Sequence, residues 1–238
     1  MSETYTQWYP YLCVQDSYFK LDGAEKIPRK ICDYLIDAPK GEYTPPDDNA
    51  YSRCRLWKYL YYDGAKPLSE PLPTIQQKMS VVFDSDSPER PPTDKGYRLI
   101  PQVYIKPAQT DAQTRIYVYM GRTVPSNDEF KICIGVNFFI WTHYTYESNA
   151  KSDEYSRCFA IEQAIIEAMH GVSMDGIGTF FMAKSKHPDC GSKAIFDGDT
   201  NVGRQLTIAL EIATTANKSH TEFENMPLFG DSPNIRLG

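Results

Sequence analysis

Two stretches of strict apolar alternation, far apart in the chain, dictate that it folds around a sheet. In Phe130 to Tyr144, the side chains Ile132, Ile134, Val136, Phe138 and Ile140 fall at every second position. In Arg204 to Ala213, Leu206, Ile208, Leu210 and Ile212 do the same, with Gln205, Thr207 and Glu211 between them. Side chains of a strand point alternately to its two faces, so each stretch presents one continuous apolar face and must bury it.

Between them lies a stretch of different period. Cys158, Ile161, Ile165, Ala168 and Met169 form an apolar stripe at helical spacing, and Ser156, Gln163 and Glu167 form the opposite side. This predicts a helix over about Asp153 to Met169. Ser152 would cap it, Asp153 and Glu154 would complement its dipole, and Gly171 would end it. Glu162 sits on the flank of the stripe and is expected to be a rim residue reaching solvent or a lysine.

Shorter strands are expected at Met79 to Phe83, at Arg115 to Met120 and at Gly176 to Ala183. Leu99 to Ile105 reads as an edge strand, because Pro101 has no N–H to give a central ladder. The residues between Asp84 and Gly96, with Pro88, Pro91 and Pro92, read as a surface loop. The element order then predicts an α+β fold: a mostly antiparallel sheet with one long helix packed on a face. The first third differs in character. Pro28 opens a helix through Ile31, Cys32, Tyr34 and Leu35, and a second helix runs from Tyr51 to Tyr61 before Asp63-Gly64 stops it. Pro67 to Pro73 reads as extended. The chain thus divides into a helical and irregular N-terminal extension at 1–75, an α+β core domain at 76–214 and a polar tail at 215–238. One face needs a cover: Cys133, Asn137, Phe139 and Trp141 lie opposite the apolar face of their strand. Either the first third or a neighbouring subunit must shield Phe139 and Trp141.

Composition narrows the function. A formal net charge of −6, with no basic block, argues against a protein that grips phosphate backbones, and no sequence-specific nucleic-acid binding is expected. It is compatible with one that nucleic acid slides past. Met1 to Val14 lacks the pattern of a secretory leader, and the longest apolar run, Ile132 to Trp141, is too short to cross a bilayer. The expectation is therefore a non-secreted protein with no membrane partner, whose six cysteines are reduced thiols. The 17 tyrosines suit either strands or contact surfaces.

No catalytic, cofactor-binding or metal-ligating constellation emerges. Gly198 to Gln205 has the glycine spacing of a phosphate loop, but Arg204 and Gln205 replace the lysine and hydroxyl residue, and a strand follows where a helix is needed. Asp197, Asp199 and Asn201 alternate as in a calcium loop, yet Val202 replaces the glycine and Ile208 the closing carboxylate, so a turn between strands is expected. His187-Pro188-Asp189-Cys190 places an imidazole, a carboxylate and a thiol close together. This loop carries the rival reading, a small-molecule enzyme using His187 and Cys190; a regulatory binding module is a third. On the leading reading, both Cys190→Ser and His187→Ala should leave fold and assembly nearly intact.

The order of several short signatures resembles a known family. Met79-Ser80-Val81-Val82-Phe83-Asp84 precedes the Pro-rich loop and Gly96-Tyr97-Arg98-Leu99-Ile100-Pro101-Gln102. Arg115 to Gly121, Ile132 to His143 and Arg157 to Met169 follow, and then Gly176-Ile177-Gly178-Thr179-Phe180 and Gly203 to Ile212. Over roughly Arg53 to Thr214 this layout is similar to the neck proteins of tailed bacteriophages, the tail terminators and head–tail connectors. The resemblance implies a virion protein, assembled in the host cytoplasm, that forms a homo-oligomeric ring of six around a DNA channel. Its partners would be other neck, connector and tail proteins, with no cofactor and no catalysis. The chain is longer than the compact terminators, and its terminal segments, Met1 to Val14 and Thr215 to Gly238, are expected to serve assembly.

Overall fold

The computed structural model describes residues 26–36, 50–64, 66–83, 95–102, 113–126, 128, 131–148, 156–174, 177–197 and 201–213. Its centre is the pair of alternating stretches. β3 (Lys131–His143) and β7 (Asn201–Ala213) run antiparallel and pair residue for residue, from Lys131 opposite Ala213 to His143 opposite Asn201. β2 (Arg115–Pro125) lies antiparallel on the other side of β3, with a register shift between Met120 and Thr123. β1 (Leu99–Ile100) joins β2 in parallel, and Val82 forms a single bridge beyond it. Along the far side of β7 lie β5 (Gly178–Phe181), itself paired to β4 (Ser173–Met174), and β6 (Gly191–Asp197).

The even-numbered side chains of β3 face one continuous core, which also takes Leu206, Ile208, Leu210 and Ile212 of β7. Three helices cover this face. α1 (Ile27–Ile36) contributes Ile31 and Leu35, and α2 (Ala50–Tyr61) contributes Leu56, Trp57 and Leu60. The long helix, labelled α5 here (Arg157–Met169), contributes Ile161, Ile165 and Met169, after the short α3 (Ile75–Ser80) and α4 (Tyr144–Ser148). Each large side chain buried this completely is worth about 1.5–3 kcal/mol relative to exposure. The indole Nε1 of Trp57 donates to the Leu35 carbonyl at 2.6 Å, so the buried ring leaves no polar atom unmet and ties α2 to α1. The fold is α+β, sheet-dominated, with the long helix on a face, as the periodicities predict.

Two buried arginines hold the end of α2. The last carbonyls of a helix have no partner within it. Arg157 donates to the carbonyls of Tyr59, Tyr62 and Gly64, and Arg98 donates to Leu60 while gripping both oxygens of Asp63 at 2.6 Å. Burial pushes the Arg157 guanidinium below its usual range, although the nearby Asp63 and Glu147 carboxylates oppose this.

Several expectations are corrected. The long helix begins at Arg157, four residues late, because Ser156 supplies the cap: its hydroxyl accepts from the Phe159 N–H at 3.2 Å. Ser152, Asp153 and Glu154 lie outside the described residues. Met79 to Phe83 is not a strand. Thr74 and Gln77 close a reciprocal capping box that starts α3, and only Val82 bridges to the sheet. Within Pro67 to Pro73, Pro67–Ser69 forms a short 3-10 turn. β6 (Gly191–Asp197) is a further strand beyond those the periodicities predict. The turn expected at Asp197 to Asn201 does separate two paired strands, since Asp197 sits opposite Asn201.

Phe139 and Trp141 are buried on the face of the sheet away from the helices. These rings stack with centroids 5.5 Å apart and pack with Tyr117 and Ile100, with Phe83, Tyr97, Tyr119 and Ile195 around them. The described helices of the first third lie on the opposite face, in the main core. The distal half of Leu99 to Ile105, most of the loop between Asp84 and Gly96, both terminal segments and the tail lie outside the described residues.

Candidate functional site

The face of the sheet away from the helices carries a polar floor. Asn137 on β3 sits opposite Thr207 on β7, and Gln205 shares their face. The Thr207 hydroxyl donates to Asn137 Oδ1 at 2.7 Å, and Gln205 Nε2 approaches the same oxygen at 3.4 Å. The turn from Lys184 to Cys190 passes over this floor. It comes close because Gly135 has no side chain: a Cβ there would meet the His187 ring at 3.0 Å and the Thr207 methyl at 3.1 Å.

His187 is fully buried and both its ring nitrogens are engaged. Nδ1 accepts from the Asp189 N–H at 3.2 Å, so Nε2 is the protonated nitrogen and donates to the Arg122 carbonyl at 2.9 Å. The imidazole therefore links the turn to β2. Cys190 turns to other partners: its Sγ approaches the Phe181 carbonyl at 3.7 Å and packs with Cys133 and Ala209. Burial pushes both thiols up, that of Cys133 to about 11, so neither is a thiolate at neutral pH. Sequence proximity brought His187 and Cys190 together, but the fold gives them separate structural tasks and no shared nucleophile–base contact. The described cysteines are all unpaired thiols. Among the described residues no three histidine, cysteine or carboxylate side chains converge as metal ligands.

An open groove of about 480 Å³ lies above the floor. Arg122, Lys184 and Lys193 line it together with Asp189 and Pro188. The three cations are exposed, come from three separate segments, and have no ion-pair partner among the described residues. None was singled out in the sequence. The available signal was Gly135, a glycine inside the long alternating strand, which marks a close approach from above.

A second polar cluster lies on the helix side. Glu162 is buried rather than at a rim, and its partner is an arginine. Its carboxylate accepts from Arg204 Nε and from the Ser192 hydroxyl, the latter at 2.7 Å, while Arg204 Nη2 donates to Ser192 Oγ at 2.6 Å. The even positions of β6 and β7 face α5, which brings Ser192 and Arg204 under the flank of the helix. This network fastens α5 to the β6–β7 hairpin and gives the buried Glu162 carboxylate a cationic and a hydroxyl donor.

A family model described as YomW matches residues 54–208. The chain belongs to the YomW family. That name is a Bacillus phage-derived one, and the chain is accordingly a phage-related protein. The match begins inside α2 and ends inside β7, so YomW-family membership covers the sheet, the long helix and the groove. No curated protein and no solved structure matches the chain. Among the described residues no helix is long and apolar enough to cross a membrane.

Proposed function

We propose that this phage-related chain is a structural subunit of the virion neck, forming a homo-oligomeric ring of six between capsid and tail. The observation that carries the reading is a pair of unlike apolar patches at the two ends of one sheet. At one end Phe196 of β6 is 77% exposed. At the other, Leu68, Leu72, Ile75 and Met79 are exposed in the segment that leads into Val82, the outermost bridge beyond β1. Two different patches at opposite ends suit head-to-tail contact between copies, and a head-to-tail contact closes into a ring when its rotation allows. Several exposed apolar side chains gathered in one segment, as from Leu68 to Met79, are the kind of surface that serves as a contact site.

In this reading the ring assembles in the host cytoplasm, meets other neck, connector and tail proteins in the virion, and needs no cofactor or catalysis. The acidic balance suits a lumen that DNA traverses without adhering. Native mass spectrometry of the purified full chain is the test. Hexamers are expected, and Phe196→Asp and Met79→Asp should each yield monomers with unchanged melting. A wild-type chain that stays monomeric at high concentration, alone and with tail tubes, sinks the proposal.

A further inference from the structure

The groove over β3 and β7 has a charge that the rest of the molecule does not share. The chain carries a net −6, yet Arg122, Lys184 and Lys193 gather around one opening with Asp189 as the only carboxylate among its lining residues. The lining thus holds a formal excess of two positive charges. Like charges placed together repel, Asp189 offsets one of the three, and none of them forms an ion pair among the described residues, so their proximity favours an anion in the groove. The floor adds a neutral donor. Thr207 and Gln205 both address Asn137 Oδ1, which leaves Asn137 Nδ2 without a partner among the described residues. The Arg122 guanidinium supplies a planar fork suited to two oxygens of one anion, and the lysines supply mobile point charges.

We propose that this groove is a binding site for a phosphomonoester. Its two negative charges near neutral pH match the excess of two, where a carboxylate or phosphodiester brings one. Its three terminal oxygens offer acceptors to the Arg122 fork and to both ammonium groups. A volume of about 480 Å³ exceeds what the phosphate needs and leaves room for the organic part of the ester beside Pro188. Neither His187 nor Cys190 reacts with the ligand; both hold the turn that carries Lys184 over the floor. The proposal is independent of ring assembly, because the apolar patches lie outside the groove.

Isothermal titration of the full chain with adenosine monophosphate, inorganic phosphate, adenosine and acetate tests it. Saturable binding is expected for the first two, weakening steeply with added salt, and none for adenosine or acetate. The double variant Arg122→Gln/Lys193→Gln should bind adenosine monophosphate at least about tenfold more weakly, since each charge-assisted contact contributes to affinity. Its melting should be unchanged because both side chains are exposed; Lys184→Gln provides a separate single-site check with a smaller loss. Absence of saturable binding by either phosphate probe, equal binding of acetate, or equal affinity in all variants overturns the assignment.

Discussion

At the scale of single residues, His187 shows how burial reverses an expectation drawn from neighbourhood. A loop histidine beside a cysteine reads as dispensable or reactive, but here the ring fills space over Gly135 and closes hydrogen bonds to two backbone groups. His187→Ala would leave the Arg122 carbonyl and the Asp189 N–H unmet beside a new void. We expect a loss of about 2–4 kcal/mol, measured by urea denaturation. Cys190→Ser, by contrast, keeps a donor toward the Phe181 carbonyl and should cost about 1 kcal/mol or less. Equal stability of His187→Ala and the wild type would show that the ring is not a structural link.

At the scale of elements, the C-terminal end of α2 depends on side chains supplied by distant segments. Asp63 receives both Nη atoms of Arg98, whose own side chain is almost fully buried. Removing the carboxylate strands a buried guanidinium. Asp63→Ala is therefore expected to destabilise by about 3 kcal/mol, whereas an exposed pair such as Arg55 with Glu167 should matter by less than about 1 kcal/mol. A denaturation midpoint that moves equally for Asp63→Ala and Arg55→Ala would contradict the clamp. The elements that sequence revealed are those whose burial writes a period into the chain: β3, β7 and α5 each bury one face, so their apolar positions repeat. β6 does not. Lys193, Ala194 and Phe196 are all exposed, and the strand exists because it pairs with β7, a relation between distant positions with no local signature. α3 was hidden by the apolar residues at its end, which imitate a strand, while its start depends on the side chains of Thr74 and Gln77. The groove was illegible for a similar reason: Arg122, Lys184 and Lys193 have no common spacing and meet only once the turn folds over Gly135. Glu162 was located on the correct flank, but its burial depended on Arg204 arriving from another strand.

At the scale of the whole molecule, Glu211 should contribute to acid sensitivity. Burial alone would raise its carboxyl, but hydrogen bonds from Lys186 and Lys131 outweigh that and hold it below the usual carboxylate range. A carboxylate depressed in the folded state stabilises the protein fully above its unfolded value, about 4.3, and loses that contribution as pH falls through the folded value. Stability measured by denaturation should thus fall on acidification below about pH 4, and Glu211→Gln should be less stable at neutral pH with a shallower acid limb. An unchanged acid limb in the variant would remove Glu211 from that role.

The position of β7 carries a consequence for how the chain is made. It lies between β3 on one side and β5 and β6 on the other, yet it is the last strand described, at Asn201–Ala213. On the ribosome, β3 therefore emerges with one long edge open, the backbone groups that pair with β7 bare from Lys131 to His143, and stays so while more than half a hundred further residues are added. The open edge of a long apolar strand is a template for pairing with any other chain. Arrested or prematurely ended products that stop before Asn201 would display that template permanently, so completion of Asn201–Ala213 governs whether translation yields subunits or aggregates.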